Sequence, residues 1–429
     1  MEALEDRVDS MSALVKADRV HRSIFTDPAI FELEMQRIFR RTWLYVGHES
    51  QVPNPGDYLT TELAREPVVM VRSRASGAVR VLFNRCGHRG ALVCRERQGN
   101  ATLLRCCYHG WAFDTDGKLR SVPLREGYDE ALLGRPDLGM VAVPRVASYR
   151  GFVFASLNPE AAELETFLGP VARRIDDLVA LSPTGELEVR GGTHRYRYRG
   201  NWKAQLDNIT DLYHPPFSHE STTSDGRQFE RQGAAGGIDV MDKEGRPVSL
   251  WDEAGVWATV NGHGWAGRLP GGSENTDPAF LEYRAMLVAK HGEQRTRELL
   301  DVRWHNTIIY PNLCLQSTAQ HIRVIKPISV DETEVHVSAL LLKGAPAALN
   351  RSVVRYLNVT HAAASLIQTD DLEAFQRVQQ GLHTGGAEWV ILGRYAGRDE
   401  KCEDGWRGRG TSELELRNQY RAWLEYMQG

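Results

Sequence analysis

Two short stretches of the chain concentrate its capacity for metal or redox chemistry. "RCGHRGALVC", residues 85–94, and "RCCYHGW", residues 105–111, hold four of the six cysteines and two histidines. Cys86 and His88 form a C-x-H pair, and after seventeen residues Cys106 and His109 form C-x-x-H, with Gly90 and Gly110 close behind each pair. Two ligand pairs at the tips of two hairpins would converge on one site. Such a set suits tetrahedral zinc, and equally an iron–sulfur cluster in which two thiolates hold one iron and two imidazoles the other. The order Cys-His, Cys-His favours the cluster, because each hairpin then supplies one ligand to each iron. A structural zinc knuckle stays open on spacing alone.

The second constellation lies in "NWKAQLDNITDLYHPPFSHE", residues 201–220. A helix over Trp202–His214 places Asp207, Asp211 and His214 at i, i+4 and i+7 on one face, with Leu206, Ile209 and Tyr213 on another. Pro215 and Pro216 end that helix, so His219 returns from the following turn, unlike the second histidine of a helical H-E-x-x-H zinc motif. Two histidines and a carboxylate with positions left open suit a non-haem Fe(II) that binds dioxygen. In a chain with 14 histidines, a pair five apart also arises without function.

The elements that must position these residues fall into three stretches. Asp27-Pro28 caps an amphipathic helix with Phe31, Met35, Ile38 and Phe39 on its apolar face. From Trp43 to about Leu157 short β-rich runs such as "EPVVMVRS" and "GFVFASL" alternate with Gly, Pro and Asp turns, and the cysteines sit inside this all-β segment. Asn158-Pro159 starts a second amphipathic helix with Leu164, Phe167, Leu168, Val171, Ile175 and Leu178 on its apolar face, and a domain boundary falls there. Beyond it, "THRYRYRG" alternates as a half-exposed strand, and "QHIRVIKPISVDETEVHVSALLLKG" reads as two long strands around "VDETE". Residues 353–382 and "SELELRNQYRAWLEYMQ" read as two further helices, the last with Leu416, Tyr420, Trp423, Leu424 and Met427 as its stripe. Residues 222–280, rich in Gly, Ser and Asp, are expected to form long loops. The chain shows no internal repeat.

Composition narrows the function classes. The 429 residues are 42% hydrophobic and carry a net charge of −4, from 52 basic and 56 acidic side chains. That balance offers no footprint for nucleic acid and points to small-molecule chemistry. There is no basic, then apolar leader and no run of about 18 apolar residues, so neither export nor membrane spanning is expected. Six cysteines, four of them clustered with histidines, argue for metal in a reducing compartment, with the cytoplasm as default.

The combination "CGHRGALVC", "CCYHGWAFDTDGKL" and the nearby "VP" resembles the Rieske [2Fe–2S] domain of the aromatic-ring-hydroxylating oxygenases, specifically their large catalytic alpha subunits. The resemblance implies Cys86, His88, Cys106 and His109 as cluster ligands, and leaves Cys94 and Cys107 as ordinary residues. N-W-K, an acidic residue with Asn, D-x-Y-H and a second His four residues on are similar to the mononuclear-iron motif of that family. By that match His214 and His219 are iron ligands, and the third comes from the acidic pair in "IQTDDLEAFQ", Asp371 in register and Asp370 as the alternative. Asp211 would bridge His214 to His109 of the partner subunit across a trimer interface, because the two centres of one chain are too far apart. Asn208 and Tyr213 would line the site or its electron route, with packing as the other reading. The resemblance runs roughly from Trp43 to Met427.

The implied fold is α+β: residues 1–42 a helical segment packing on the catalytic domain, 43–158 the all-β Rieske domain, and 159–429 a helix-grip catalytic domain with an antiparallel sheet. The implied activity is that of a terminal oxygenase, using O2 and electrons from an NAD(P)H-dependent reductase, with or without a ferredoxin, to cis-dihydroxylate an aromatic ring. Monooxygenation or demethylation is the alternative within the family. Arg323 in "QHIRVIKP", four residues before a proline, matches the arginine that holds the carboxylate in relatives acting on aromatic acids, although basic residues also decorate strands without function. A homotrimer, with a small beta subunit, completes the expected assembly. A ferredoxin-type electron carrier would leave His214, His219 and Asp371 idle, and a zinc-stabilised binding module would need no iron.

Overall fold

The computed structural model describes residues 11–219, 248–267, 269–270, 275–303, 306–317 and 320–429. The chain forms two compact units, Phe39–Leu164 and a second in which the segment up to Ile38 joins Glu165–Gly429.

The Phe39–Leu164 unit consists of short antiparallel sheets. Strands Val79–Phe83, Glu66–Arg72, Asp57–Leu63 and Gln98–Asn100 lie side by side in that order, and Leu104–Arg105, Ala112–Phe113 and Leu119–Ser121 form a smaller sheet. Val69, Val71, Leu82, Trp111, Phe113 and Met140 fill the core, and Cys86, Cys94 and Cys106 are part of it. The cysteine loops therefore stand on a packed base.

In the second unit Asp27 caps helix α1 (Pro28–Glu34) by accepting the Ala29 amide, as the Asp-Pro start predicts, and Met35–Phe39 continues it as a π-helical turn. The sheet is antiparallel, and its ten described strands are β1 (Leu187–Val189), β2 (His194–Tyr198), β3 (Val256–Ala258), β4 (Gly264–Ala266), β5 (Asn306–Ile309), β6 (Leu313–Gln316), β7 (His321–Ser329), β8 (Glu332–Leu342), β9 (Glu400–Cys402) and β10 (Gly405–Gly408). They run in the order β1-β8-β7-β6-β5-β4-β3-β10-β9, with β2 also paired to β8. Helices α2 (Lys203–Thr210), α3 (Pro215–Ser218), α4 (Ala347–Thr360), α5 (Gln368–Leu382) and α6 (Leu414–Gln428) accompany the sheet. Val353, Leu357 and Phe375 of α4 and α5 pack on Tyr196, Tyr198, Val335 and Val337 of β2 and β8. The architecture is α+β, as the sequence implies.

Four sequence readings change. The helix expected from Asn158-Pro159 begins at Leu164, because the Asn158 side chain accepts the Glu160 amide in a turn, and Gly169-Pro170 then interrupts it. The helix expected over Trp202–His214 ends at Thr210, where Asp211 turns extended at φ −76°, ψ 106°. The helix expected over 353–382 is two, broken between Thr360 and Gln368, where the Ser365 hydroxyl donates to the Thr360 carbonyl in place of the helical ladder. Of the loops expected over 222–280, residues 222–247 lie outside the described residues, while Val248–Ala254, β3, β4 and Pro278–His291 are regular elements.

One buried charge pair anchors the start of α2. Glu34 of α1 is 0% exposed, its carboxylate 2.5 Å from Lys203 Nζ. It also accepts the indole N–H groups of Trp202 and Trp423, each at 2.7 Å. Removing one partner leaves the other charge buried and unpaired. Glu34→Ala is accordingly expected to lower stability by about 3–5 kcal/mol, read as a drop in the urea midpoint. An unchanged midpoint would show that the pair is not an anchor.

Candidate metal centres

The first centre is built by two loops of the Phe39–Leu164 unit. In one, the Cys86 amide donates to Ala91 O and the Gly90 amide to Cys86 O; in the other, the Cys106 amide donates to Trp111 O and the Gly110 amide to Cys106 O. Gly90 and Gly110 close these loops at φ +79° and +71°, a conformation side chains disfavour. The buried thiols of Cys86 and Cys106 touch, and burial raises the Cys86 pKa. The His88 and His109 rings stand 4.6 Å apart. Trp111 stacks on His88 at 4.7 Å, and the Tyr128 hydroxyl lies 3.4 Å from His88 Nε2.

His88 Nδ1 is buried with no hydrogen-bond partner among the described residues, which leaves that nitrogen for a metal. Cys94 is buried in the core and its thiol is pushed up to about 12 by burial, whereas Cys107 is exposed.

The second centre is compact. His214, His219 and Asp371 bring one ligand atom each within 4.8 Å of one another, the one such group among the described residues. Asp371 Oδ1 stands 3.3 Å from His219 Nε2 and 3.7 Å from His214 Nε2. The break after α4 puts Asp371 in the first turn of α5, and α3 turns His219 back toward it. Burial works to raise the Asp371 pKa, but the His219 hydrogen bond and the charges of His214, His219 and Arg323 outweigh it and hold the carboxyl below its usual range. Burial likewise works to lower the His219 pKa, and Asp371 and Asp370 outweigh it and raise it.

Each imidazole turns its other nitrogen to a second carboxylate. His219 Nδ1 meets Asp370 Oδ2 at 3.2 Å, and His214 Nδ1 lies 3.5 Å from Asp211 Oδ2. The Asp370 hydrogen bond is of the kind that fixes the tautomer and ring orientation of a metal-binding histidine, whereas His214 Nδ1 makes no hydrogen bond among the described residues. Asp370, weighed from sequence as the alternative ligand, is thus placed to orient His219. The Asn208 amide reaches the same site, donating to Asp371 Oδ1 at 3.0 Å and standing 3.0 Å from His214 Nε2.

Two residues of the same stretch sit elsewhere. Asp207 turns away to accept the Tyr420 hydroxyl at 2.7 Å, and burial pushes its carboxyl up to about 7. The Tyr213 ring is 40% exposed and lies against Phe217 and under the Arg394 guanidinium, 4.1 Å away, so the structure does not bring the ring to the histidines. Its amide instead donates to Asp211 Oδ1 at 2.6 Å. No sequence signal pointed to Arg394, which is distant in the chain.

Arg323 sits on β7, 4% exposed, and its Nε donates to His321 Nε2 at 3.3 Å. Among the described residues no carboxylate forms an ion pair with it, although its charge is felt by Asp371.

A redox unit with two Cys-His loops, joined in one chain to an antiparallel sheet and helices that assemble two histidines and an aspartate, defines a two-centre iron oxygenase. Residues 42–145 match the Rieske [2Fe–2S] domain family, and residues 186–429 match the ring hydroxylating alpha subunit (catalytic domain) family. The chain is 37% identical over 392 residues to the toluate 1,2-dioxygenase subunit alpha of Pseudomonas putida, covering 88% of this chain and 84% of that one. It is 35% identical to the 2-halobenzoate 1,2-dioxygenase large subunit of Burkholderia cepacia, covering 88% and 80%. The structure of naphthalene 1,2-dioxygenase with indole bound superposes with a TM-score of 0.80 at 26% identity, covering 97% and 94%. The chain belongs to the Rieske ring-hydroxylating oxygenases, as an alpha subunit with a [2Fe–2S] cluster and a mononuclear iron. Alpha subunits of this family take electrons from a reductase or ferredoxin, consume O2 and form multimers. Among the described residues no helix is long and apolar enough to cross a membrane.

Proposed function

We propose that this chain cis-dihydroxylates an aromatic carboxylate, with Arg323 as the clamp for the acid. The observation that carries this is a guanidinium 4% exposed on β7 with no carboxylate partner among the described residues. A charge so buried needs an anion, and a guanidinium presents two parallel N–H groups to a carboxylate. The names of the toluate and 2-halobenzoate dioxygenases, both acting on aromatic acids, support the same reading.

Cys86, His88, Cys106 and His109 hold the cluster, and His214, His219 and Asp371 the mononuclear iron. Iron held by these three residues would supply the chemistry that activates dioxygen. Asp370 keeps His219 in the tautomer that turns Nε2 toward the ligand set, Asp211 faces His214 Nδ1, and Asn208 steadies Asp371 by donating to its Oδ1. Arg323 fixes the ring by its carboxylate. We place the chain in a homotrimer with a small beta subunit, in which Asp211 leads the electron from His109 of the partner subunit to His214. A separate NAD(P)H-dependent reductase supplies the electrons, because the chain has no nucleotide-binding glycine fingerprint. The cytoplasm is the expected compartment.

Arg323→Met tests the substrate class. Two charge-assisted hydrogen bonds are lost, so kcat/KM for benzoate is expected to fall about 100-fold, roughly 3 kcal/mol, while a neutral arene is processed as before. An unchanged ratio between the two substrates would remove the clamp. Product analysis with isotopic O2 then counts the oxygen atoms delivered and separates dihydroxylation from monooxygenation.

A further inference from the structure

We propose that Gln368 is a specificity residue whose side-chain amide receives a second hydrogen-bonding substituent, a hydroxyl or an amino group, on the aromatic acid. The inference rests on the aromatic-acid reading above and adds a second group to that substrate. Gln368 opens α5, whose inward stripe is Gln368, Asp371, Phe375 and Gln379. It therefore shares a face with the iron ligand Asp371, roughly 5 Å further along the helix axis.

The two glutamines of that stripe are held in opposite ways. Gln379 is buried and fully engaged: its Oε1 accepts the Asn201 amide, and its Nε2 donates to Phe25 O and Asp331 Oδ1. Gln368 is 0% exposed, and neither its Oε1 nor its Nε2 has a hydrogen-bond partner among the described residues. A buried amide with both ends unmatched is costly at a structural position, and it is what a site made to hold a polar ligand group presents. A hydroxyl can meet both ends and an amino group the oxygen, whereas a methyl group meets neither.

The sheet opposite gives the direction. Residues paired across antiparallel strands point to the same face, so Tyr196 stands in one row with Ile325, Arg323 in the next with Cys314, and His321 in a third with Gln316. Phe375 packs in one cluster with Tyr196, and Asp371 feels the charge of Arg323. The stripe of α5 thus climbs row by row, and its next turn brings Gln368 toward His321 and Gln316. That row is polar too: Gln316 is buried with no hydrogen-bond partner for its Oε1 among the described residues, and the His321 ring lies 4.6 Å from that of His361, just beyond α4. With the carboxylate on Arg323, the Gln368 amide meets a substituent on the His321 side of the ring.

The test is calorimetric titration of the anaerobic holoenzyme with benzoate and with hydroxy-, amino- and methylbenzoates substituted at each ring position. At one position, wild type is expected to bind the hydroxyl or amino isomer about tenfold tighter than the methyl isomer. Gln368→Leu is expected to abolish that preference while keeping its affinity for benzoate within about twofold of wild type. Wild type that binds methyl isomers as tightly as their hydroxyl and amino counterparts overturns the inference and leaves the aromatic-acid reading standing. So does Gln368→Leu with the preference intact. Loss of mononuclear iron from Gln368→Leu overturns it as well, because the side chain would then serve only to support Asp371. Wild type that binds a neutral arene but none of the acids removes the aromatic-acid reading itself, and the second substituent with it.

Discussion

Asp371→Ala is expected to abolish turnover while leaving the Rieske spectrum intact, with iron content falling to that of the cluster alone. Asp371 is 3% exposed, and its Oδ1 is the one carboxylate oxygen grouped with both histidine nitrogens. Without it two imidazoles remain, too few ligands to hold Fe(II) against water, and buried His219 loses the carboxylate it faces. Asp370→Ala separates the two members of the acidic pair. Its carboxylate faces His219 Nδ1, on the ring edge away from Asp371, so its loss frees the ring without removing a ligand. Iron affinity is expected to weaken by about 10–100-fold, with activity recovered by added Fe(II). Colorimetric iron analysis with and without added Fe(II) reads both variants. Retained mononuclear iron in Asp371→Ala, with loss in Asp370→Ala, would exchange the two roles.

The contrast between the centres shows what a sequence can carry. Cys86, His88, Cys106 and His109 lie on two short loops, each closed by its own backbone bonds and a left-handed glycine. Local spacing therefore encodes the geometry almost completely. The mononuclear site joins His214 and His219 to a residue far along the chain, and periodicity alone could not pair them; only the family resemblance reached Asp371. Two of the misread helices share one cause. Helical spacing continued through "DLYH" and "HAAAS", but Asp211, Thr360 and Ser365 offer side-chain bonds that compete with the helical ladder. Those interruptions are where the site is made. An unbroken α2 would keep Asp211 and His214 on its surface, and an unbroken α4–α5 helix would not begin a new turn at Asp370 and Asp371. The Glu34–Lys203 anchor and the Arg394–Tyr213 contact are legible at no local level, because each joins segments remote in sequence.

Asp211 carries the second large effect, and its chemistry allows two roles to be separated. Its Oδ1 accepts the Tyr213 amide at 2.6 Å, which holds the turn between α2 and α3. Its Oδ2 lies 3.5 Å from His214 Nδ1 and is half of the proposed electron route. Asp211→Ala removes both. Asp211→Asn keeps an oxygen for the Tyr213 amide but sets an N–H donor against His214 Nδ1, which then cannot donate in return. The turn and the iron should survive, while the link that needs a carboxylate between two imidazoles is lost. With both centres present, kcat is therefore expected to fall about 100-fold or more in Asp211→Asn, a larger penalty than its near-isosteric shape suggests. The decisive measurement is single turnover. Enzyme with a pre-reduced cluster is mixed with substrate and O2, and oxidation of the cluster is followed in the visible spectrum. A cluster that stays reduced beside a loaded iron site places the block between the centres. Cluster oxidation within about threefold of the wild-type rate would mean that the electron does not need this carboxylate, and would leave Asp211 only its structural role in the turn.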